Sequence, residues 1–248
     1  MTVSKATPVK PATLKSGAPA RRTNLNSIAT RAKLVAVAER LYAQHGIEGV
    51  SLSEINRASK QRNANACQYH FGNKQGLLQA IVDKHVPSIA ARRNQLLDQF
   101  ELTGELDLPA LIHTWVLPVA EKLQDSDGGS DFIRINAQLT AAHALAVQNP
   151  AGATLHAQGA ERLARLLNQA LKDLPEPVRQ QRLLMASVLL FHGLADQSRL
   201  LESISEPSFE HDNLLYIANL EDAITAMLIA PVTPRAFARL EQLQYQEY

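Results

Sequence analysis

Apolar positions recur with a helical period along almost the whole chain. Leu34, Val37, Ala38, Leu41, Tyr42 and His45 fall on one face, and predict a first helix from about Ser27. Gly46 is suited to end it, because glycine tolerates the left-handed conformation that closes a helix. Ser51 followed by Glu54 forms a capping box that opens a short second helix carrying Leu52, Ile55 and Ala58. The polar run "SKQRN" then separates it from a third short helix, Ala64 to about His70, with Asn63 as its expected N-cap. Gly72 and Asn73 interrupt the pattern. A fourth helix begins near Lys74, with Leu77, Leu78, Ile81, Val82 and His85 on one side. Pro87 is expected to end or kink it, leaving Arg92 and Arg93 on a polar turn.

The remainder also reads as helix, over about 108–124, 131–148, 153–172, 177–203 and 211–229, with a short last helix after Pro234. Pro109 suits a helix's first turn. No segment sustains period-2 alternation, so the fold class is all-α. Helix 177–203 shows Leu184, Val188, Phe191 and Ala195 on one face and Leu183, Leu190 and Leu194 on a neighbouring one. Helix 211–229 shows Leu214, Ile217, Ala218, Ile224, Met227 and Leu228. Apolar surfaces this broad call for burial on more than one side. A core and a four-helix seam between two copies would supply it, and Leu184, Val188, Phe191, Ala195, Leu214, Ile217, Ile224 and Met227 are the seam candidates.

Charge changes the picture. Over the 248 residues the net charge is only +1, but residues 1–84 hold 13 Lys/Arg against 4 Asp/Glu, and residues 85–248 hold 12 against 20. A basic part and an acidic part suggest different partners. Residues 1–26 are rich in Pro, Ala, Ser, Thr and Lys and read as a flexible basic arm. The start has no apolar run of a secretory signal, and one cysteine, Cys67, excludes an intrachain disulfide and fits the reducing cytoplasm. The longest strongly apolar run, Leu183 to Ala195, is too short to span a bilayer, so no membrane partner is expected. No zinc spacing, H-E-x-x-H or glycine-rich phosphate loop occurs, and no convergent acid, base or nucleophile marks an enzyme, so neither a cofactor nor a metal is expected.

Two short helices across a polar turn, both packed on a longer one, are the layout of a helix-turn-helix, whose second helix enters the DNA major groove. The segment Ser59–Leu78 contains Lys60, Arg62 and Lys74 and no acid. These cations suit phosphates. Asn63, Asn65 and Gln68 carry amides that can read base edges, and Tyr69 and His70 offer a phenol and an imidazole to phosphate or a thymine methyl.

The run "AVAERLYAQHGIEGVSLSEINRAS…YHFGNKQGLLQAIV", about Arg31 to Val82, resembles the DNA-binding domain of TetR/AcrR-type bacterial repressors. The resemblance rests on the A-x-x-L-[FY]-x-x-x-G run, the capping box, the Y-H-F end of the third helix, and the Lys two residues past Gly72. It implies a homodimer on a pseudo-palindromic operator in double-stranded DNA, released by a small, largely hydrophobic effector. The alternative is a dimeric DNA-binding regulator without a small-molecule ligand. Tyr69 and His70 then match DNA-contacting positions, Lys74 a phosphate contact and Phe71 a core position. The usual Ala-Gly-Val-Ser turn is replaced by the longer "SKQRNA", and Gln68 stands where a tyrosine is common. The expected organisation is the arm over 1–26, the helix-turn-helix domain over 27–86, and an effector-binding and dimerisation domain over 87–248. Polar-tipped side chains on its apolar helices, His113, Trp115, Phe132, Arg134, His143 and His192, are the pocket candidates that this resemblance implies.

Overall fold

A computed structural model describes residues 18–146, 159–203 and 212–244. These form α1 (Ala18–His45), α2 (Leu52–Ala58), α3 (Ala66–Phe71), α4 (Lys74–Thr103), α5 (Leu108–Ala120), α6 (Gly129–Ala146), α7 (Glu161–Ala170), α8 (Glu176–Ser203), α9 (Asn213–Ile229) and α10 (Pro234–Gln244). A 3-10 turn, Glu121–Gln124, follows α5, and no strand occurs among the described residues.

Capping fixes the ends. The Ser51 hydroxyl accepts from the Glu54 amide while the Glu54 carboxylate accepts from the Ser51 amide at 2.8 Å, so the predicted capping box is present. Asn73 caps α4 by accepting from the Gly76 amide, and Asp107 caps α5 through that of Ala110. Gly46 closes α1 at φ +83°, as expected from its position.

The first four helices build one core around Leu34, Ala38, Tyr42, Ile55, Cys67, Leu77 and Ile81, all fully buried. The buried stripe of α1 is rotated slightly from the sequence expectation. Val35 and Glu39 join it, while His45 is exposed. The helix also begins at Ala18 rather than near Ser27, within the span expected to be a flexible arm; residues 1–17 of that arm lie outside the described residues.

Pro87 does not end the fourth helix, which runs unbroken to Thr103. Proline removes one backbone donor, but buried residues on both sides hold α4 in place: Ile81, Val82 and His85 before it, Ile89, Leu96 and Leu97 after it. The Ser88 hydroxyl donates to the His85 carbonyl at 2.9 Å. Arg93, expected on a polar turn, is buried and donates through Nε to the Thr114 carbonyl of α5.

In the second part, α5 lies against α4, α7 and α9, and α6 lies against α8 and α1. Ile112, Val116, Ile133, Ile135, Leu190, Leu194, Ile224 and Leu228 form its centre. Three seam candidates are corrected here. Ala195, Ile217 and Ile224 are buried inside the protomer, because α8 and α9 pack on α6, α5 and each other through those positions. Leu214 is 72% exposed, and Leu184, Val188, Phe191 and Met227 are half-buried. Met185 and Leu189 of α8 and Leu215 and Ile229 of α9 are exposed as well. The predicted helix over 153–172 is observed only as α7; residues 153–158, and residues 204–211 between α8 and α9, fall outside the described residues.

The two parts are joined by polar contacts that periodicity cannot reveal. Gln138 of α6 accepts from the Ile47 amide at 2.8 Å and donates to the Tyr42 carbonyl at 3.0 Å, closing the C-terminal end of α1 from outside. Glu39 is 1% exposed, and its carboxylate meets His85 Nε2 and Lys84 Nζ, each at 2.8 Å. Lys84 also pairs with Asp127, in the turn before α6, and His85 stacks on Phe132 of α6.

Candidate nucleic-acid interface

The placement of α3 decides what this segment can touch. Ala66 and Cys67 are buried against the core, and burial pushes the Cys67 thiol up to about 11, so it stays protonated. With two consecutive positions held inward, the helical period turns Asn65, Gln68 and Tyr69 to the opposite side. All three are exposed, Tyr69 at 79%. An exposed tyrosine on a six-residue helix has no packing role to explain it. His70 is half-buried, and its ring lies edge-on to Tyr69 at 5.0 Å.

Sequence reasoning missed the residue that sets this orientation. Asn56 of α2 is buried, its Oδ1 accepting from the Cys67 amide at 2.9 Å and its Nδ2 donating to the Ala64 carbonyl. Cys67 is the second residue of α3, so Asn56 supplies the acceptor that a helix start needs. The residue at the N-cap position, Asn65, makes no side-chain cap. Asn63, expected to be the cap, instead accepts from the Asn65 amide at 2.9 Å in an Asx turn, and α3 starts two residues later than predicted. The signal was present as a polar residue one position after Ile55 on a helix with few core positions, but an asparagine there also reads as solvated surface.

The turn between α2 and α3 carries the cations. Lys60 has φ +52°, the only positive φ among the described non-glycine residues. Its amide donates to the Arg57 carbonyl and that of Gln61 to the Asn56 carbonyl. The side chains of Arg57, Lys60 and Arg62 are exposed and have no ion-pair partner among the described residues. No acid occurs between Glu54 and Asp83, so the segment itself is basic, with Glu54 one helical turn before Arg57.

Lys74, expected to contact phosphate, also makes contacts within the protein. Its Nζ donates to the Ile47 carbonyl at 2.9 Å and lies 3.7 Å from Glu48, which ties the start of α4 to the end of α1. Phe71 is half-buried and packs on the core, with the Arg31 guanidinium 5.2 Å from its ring centroid.

Of the described pocket candidates, His113, Phe132 and Arg134 each have contacts of their own. His113 of α5 is bonded to Glu221 of α9 at 3.0 Å, which raises its pKa. Phe132 faces His85. Arg134 is buried between α6 and α8, donating to Ser198 and pairing with Glu202. Trp115 is half-buried against the core, and His192 is exposed on α8. The side chain of His143 lies outside the described residues. Helical periodicity marks polar tips on apolar faces, but cannot distinguish an ion pair between helices from a cavity wall.

Residues 34–81 match the model of a family described as bacterial regulatory proteins, tetR family. No curated protein matches the chain. Among solved structures, it is similar to a protein from Rhodococcus sp. provisionally described as a TetR-family transcriptional regulator, at 16% identity over 80% of this chain and 98% of that one, with a TM-score of 0.39. A TetR-family transcriptional regulator from Pectobacterium atrosepticum is 19% identical over 85% of this chain and 100% of that one, also with a TM-score of 0.39. Among the described residues, no single helix is long and apolar enough to cross a membrane.

Proposed function

We propose that this chain, whose residues 34–81 match the tetR-family model, is a DNA-binding transcriptional regulator that acts as a homodimeric repressor on a pseudo-palindromic operator. The observation that carries this reading is the outward face of α3. Asn65, Gln68 and Tyr69 are exposed while Ala66 and Cys67 hold the helix from behind. In this reading Asn65 and Gln68 meet base edges, and Tyr69, His70, Lys60 and Arg62 hold phosphates and sugars.

Dimerisation is supported by the open apolar surface of α8 and α9. Met185, Leu189, Leu214, Leu215 and Ile229 stand exposed on two helices that pack together, more than scattered surface residues explain. A second copy related by two-fold symmetry covers such a surface and brings a second α3 to the DNA. Sedimentation at micromolar concentration tests this: a monomer with and without DNA refutes it. Selection of bound duplexes from a random pool tests the operator, and failure to enrich a two-fold sequence refutes a symmetric site.

Release by a small, largely hydrophobic effector is the third element. Its support is the position of α6, which packs on α8 while holding the end of α1 through Gln138. A ligand that shifted α6 would pull on the DNA-binding domain directly, provided it bound the shifted form more tightly. A lipophilic compound library screened by thermal shift, with hits titrated against the protein–DNA complex, tests this element. If no compound lowers DNA affinity, the protein is a dimeric regulator without a small-molecule ligand.

A further inference from the structure

The N-terminal part of α1 buries none of its side chains among the described residues. No residue from Asn26 to Lys33 is buried, and Ile28 is 60% exposed; burial begins only at Leu34. The helix nevertheless runs back to Ala18. At about 1.5 Å per residue, the stretch from Ala18 to Lys33 extends α1 by roughly 24 Å before its first buried position, Leu34. A helix without a packed face is marginal in water, so this projection calls for a partner that stabilises it.

Its charge selects the partner. The projection contains Arg21, Arg22, Arg31 and Lys33, and the first acid in the chain is Glu39. Neither Arg31 nor Lys33 has an ion-pair partner among the described residues. Its place selects the partner too. Arg31 lies over the ring of Phe71, the last residue of α3, so the projection leaves the domain beside the end of the helix that carries Gln68 and Tyr69.

We infer that this basic projection is a second DNA-binding element, holding phosphates of the duplex beyond the base pairs faced by α3. It adds affinity without sequence information, because phosphates are the same at every step. Each protomer carries one, so the dimer covers a flank on both sides of its operator. The inference rests on the DNA-binding reading above but extends the bound site past the two α3 helices.

The test uses the full chain and the operator recovered by selection. Duplexes carrying the operator with flanks of increasing length are titrated with the wild-type protein and with an Arg21→Ala/Arg22→Ala/Lys33→Ala variant. The wild type gains affinity as flanks are added, by about five-fold near physiological salt for each new phosphate contact, and its log–log salt slope steepens by about 0.9 per contact. The variant binds the shortest operator like the wild type and gains nothing from flanks. An equal flank dependence in both proteins, or none in the wild type, overturns the inference. So does a variant whose only defect is weaker dimerisation, which would assign the projection to the partner copy. Failure of the wild type to prefer any duplex would instead sink the DNA reading itself. Lys33 is exposed, and a thermal melt of the variant confirms that the fold is intact.

Discussion

Replacing Asn56 by alanine removes two hydrogen bonds whose loss is unequal. Ala64 is exposed, so its carbonyl, freed of Nδ2, can be taken up by water. Cys67 is fully buried, so its amide cannot. A buried donor left without a partner costs about 1–3 kcal/mol, and the Ala64 bond adds about 0.5–1.5 kcal/mol. Asn56→Ala should therefore destabilise the packing of the first four helices by roughly 2–4 kcal/mol, a large fraction of a typical protein's stability. The control is Asn65→Ala. By position Asn65 is the N-cap of α3, and a working cap is worth about 1 kcal/mol. Its side chain caps nothing, so its loss should leave stability within about 0.5 kcal/mol. Tryptophan fluorescence reports poorly here, since the one tryptophan, Trp115, lies in α5. Amide exchange across residues 52–71 reads the domain directly, with protection at Cys67 as the local signal. The reasoning fails if Asn65→Ala costs as much as Asn56→Ala, or if the Cys67 amide exchanges no faster in Asn56→Ala.

Other substitutions separate reading, holding and folding. Gln68→Ala should cost about 1–3 kcal/mol of discrimination at one base pair per half-site with little change in salt slope, whereas Lys74→Ala should lower stability by about 1 kcal/mol by freeing the Ile47 carbonyl; titration on operator and scrambled DNA, beside melts, tells them apart. Lys60→Gly removes a cation and relieves a left-handed φ, so melts should show equal or higher stability while DNA affinity falls by about five-fold per half-site. The bond to Glu221 raises the His113 pKa above its unfolded value of about 6.5. Its contribution is complete below that value and fades as pH rises through the raised one, so unfolding measured across this window should lose a stability step that His113→Gln lacks. Leu189→Lys with Leu215→Lys places charge on the open face of α8 and α9, and sedimentation should show monomers that keep their helicity.

The helices were legible from apolar positions that recur at a helical period, and three of their boundaries because Ser51, Gly46 and Asn73 act through neighbours within four residues. What the sequence concealed acts over distance. Asn56 bonds residues eight and eleven positions away, and Gln138 bonds residues more than ninety away. No local pattern marks such a residue, since the same asparagine or glutamine on a surface helix would be solvated. Pro87 misled for the opposite reason. Its local rule is sound, but thirty residues of α4 packed on both sides outweigh one lost hydrogen bond. Ala195, Ile217 and Ile224 misled because period alone says that a face is apolar, and not which of two partners covers it.

The same distinction bears on how the two parts work together. A helix C-terminus leaves carbonyls unsatisfied, and most helices solve this within their own turn. Here Gly46 turns the chain at the end of α1, but the Tyr42 carbonyl and the Ile47 amide are also held by one side chain of α6. Glu39 adds a buried charge that is tolerable only while His85 and Lys84 stay within reach, since an unpaired buried carboxylate is costly. Lys84 in turn reaches the turn that leads into α6. A displacement of α6 therefore cannot be absorbed by sliding apolar surfaces alone. It must either break directional bonds at the end of α1 or carry α1 with it, and α1 is the helix on which α2 and α4 rest. The polar joints thus tie the position of the first four helices to that of α6 through directional bonds.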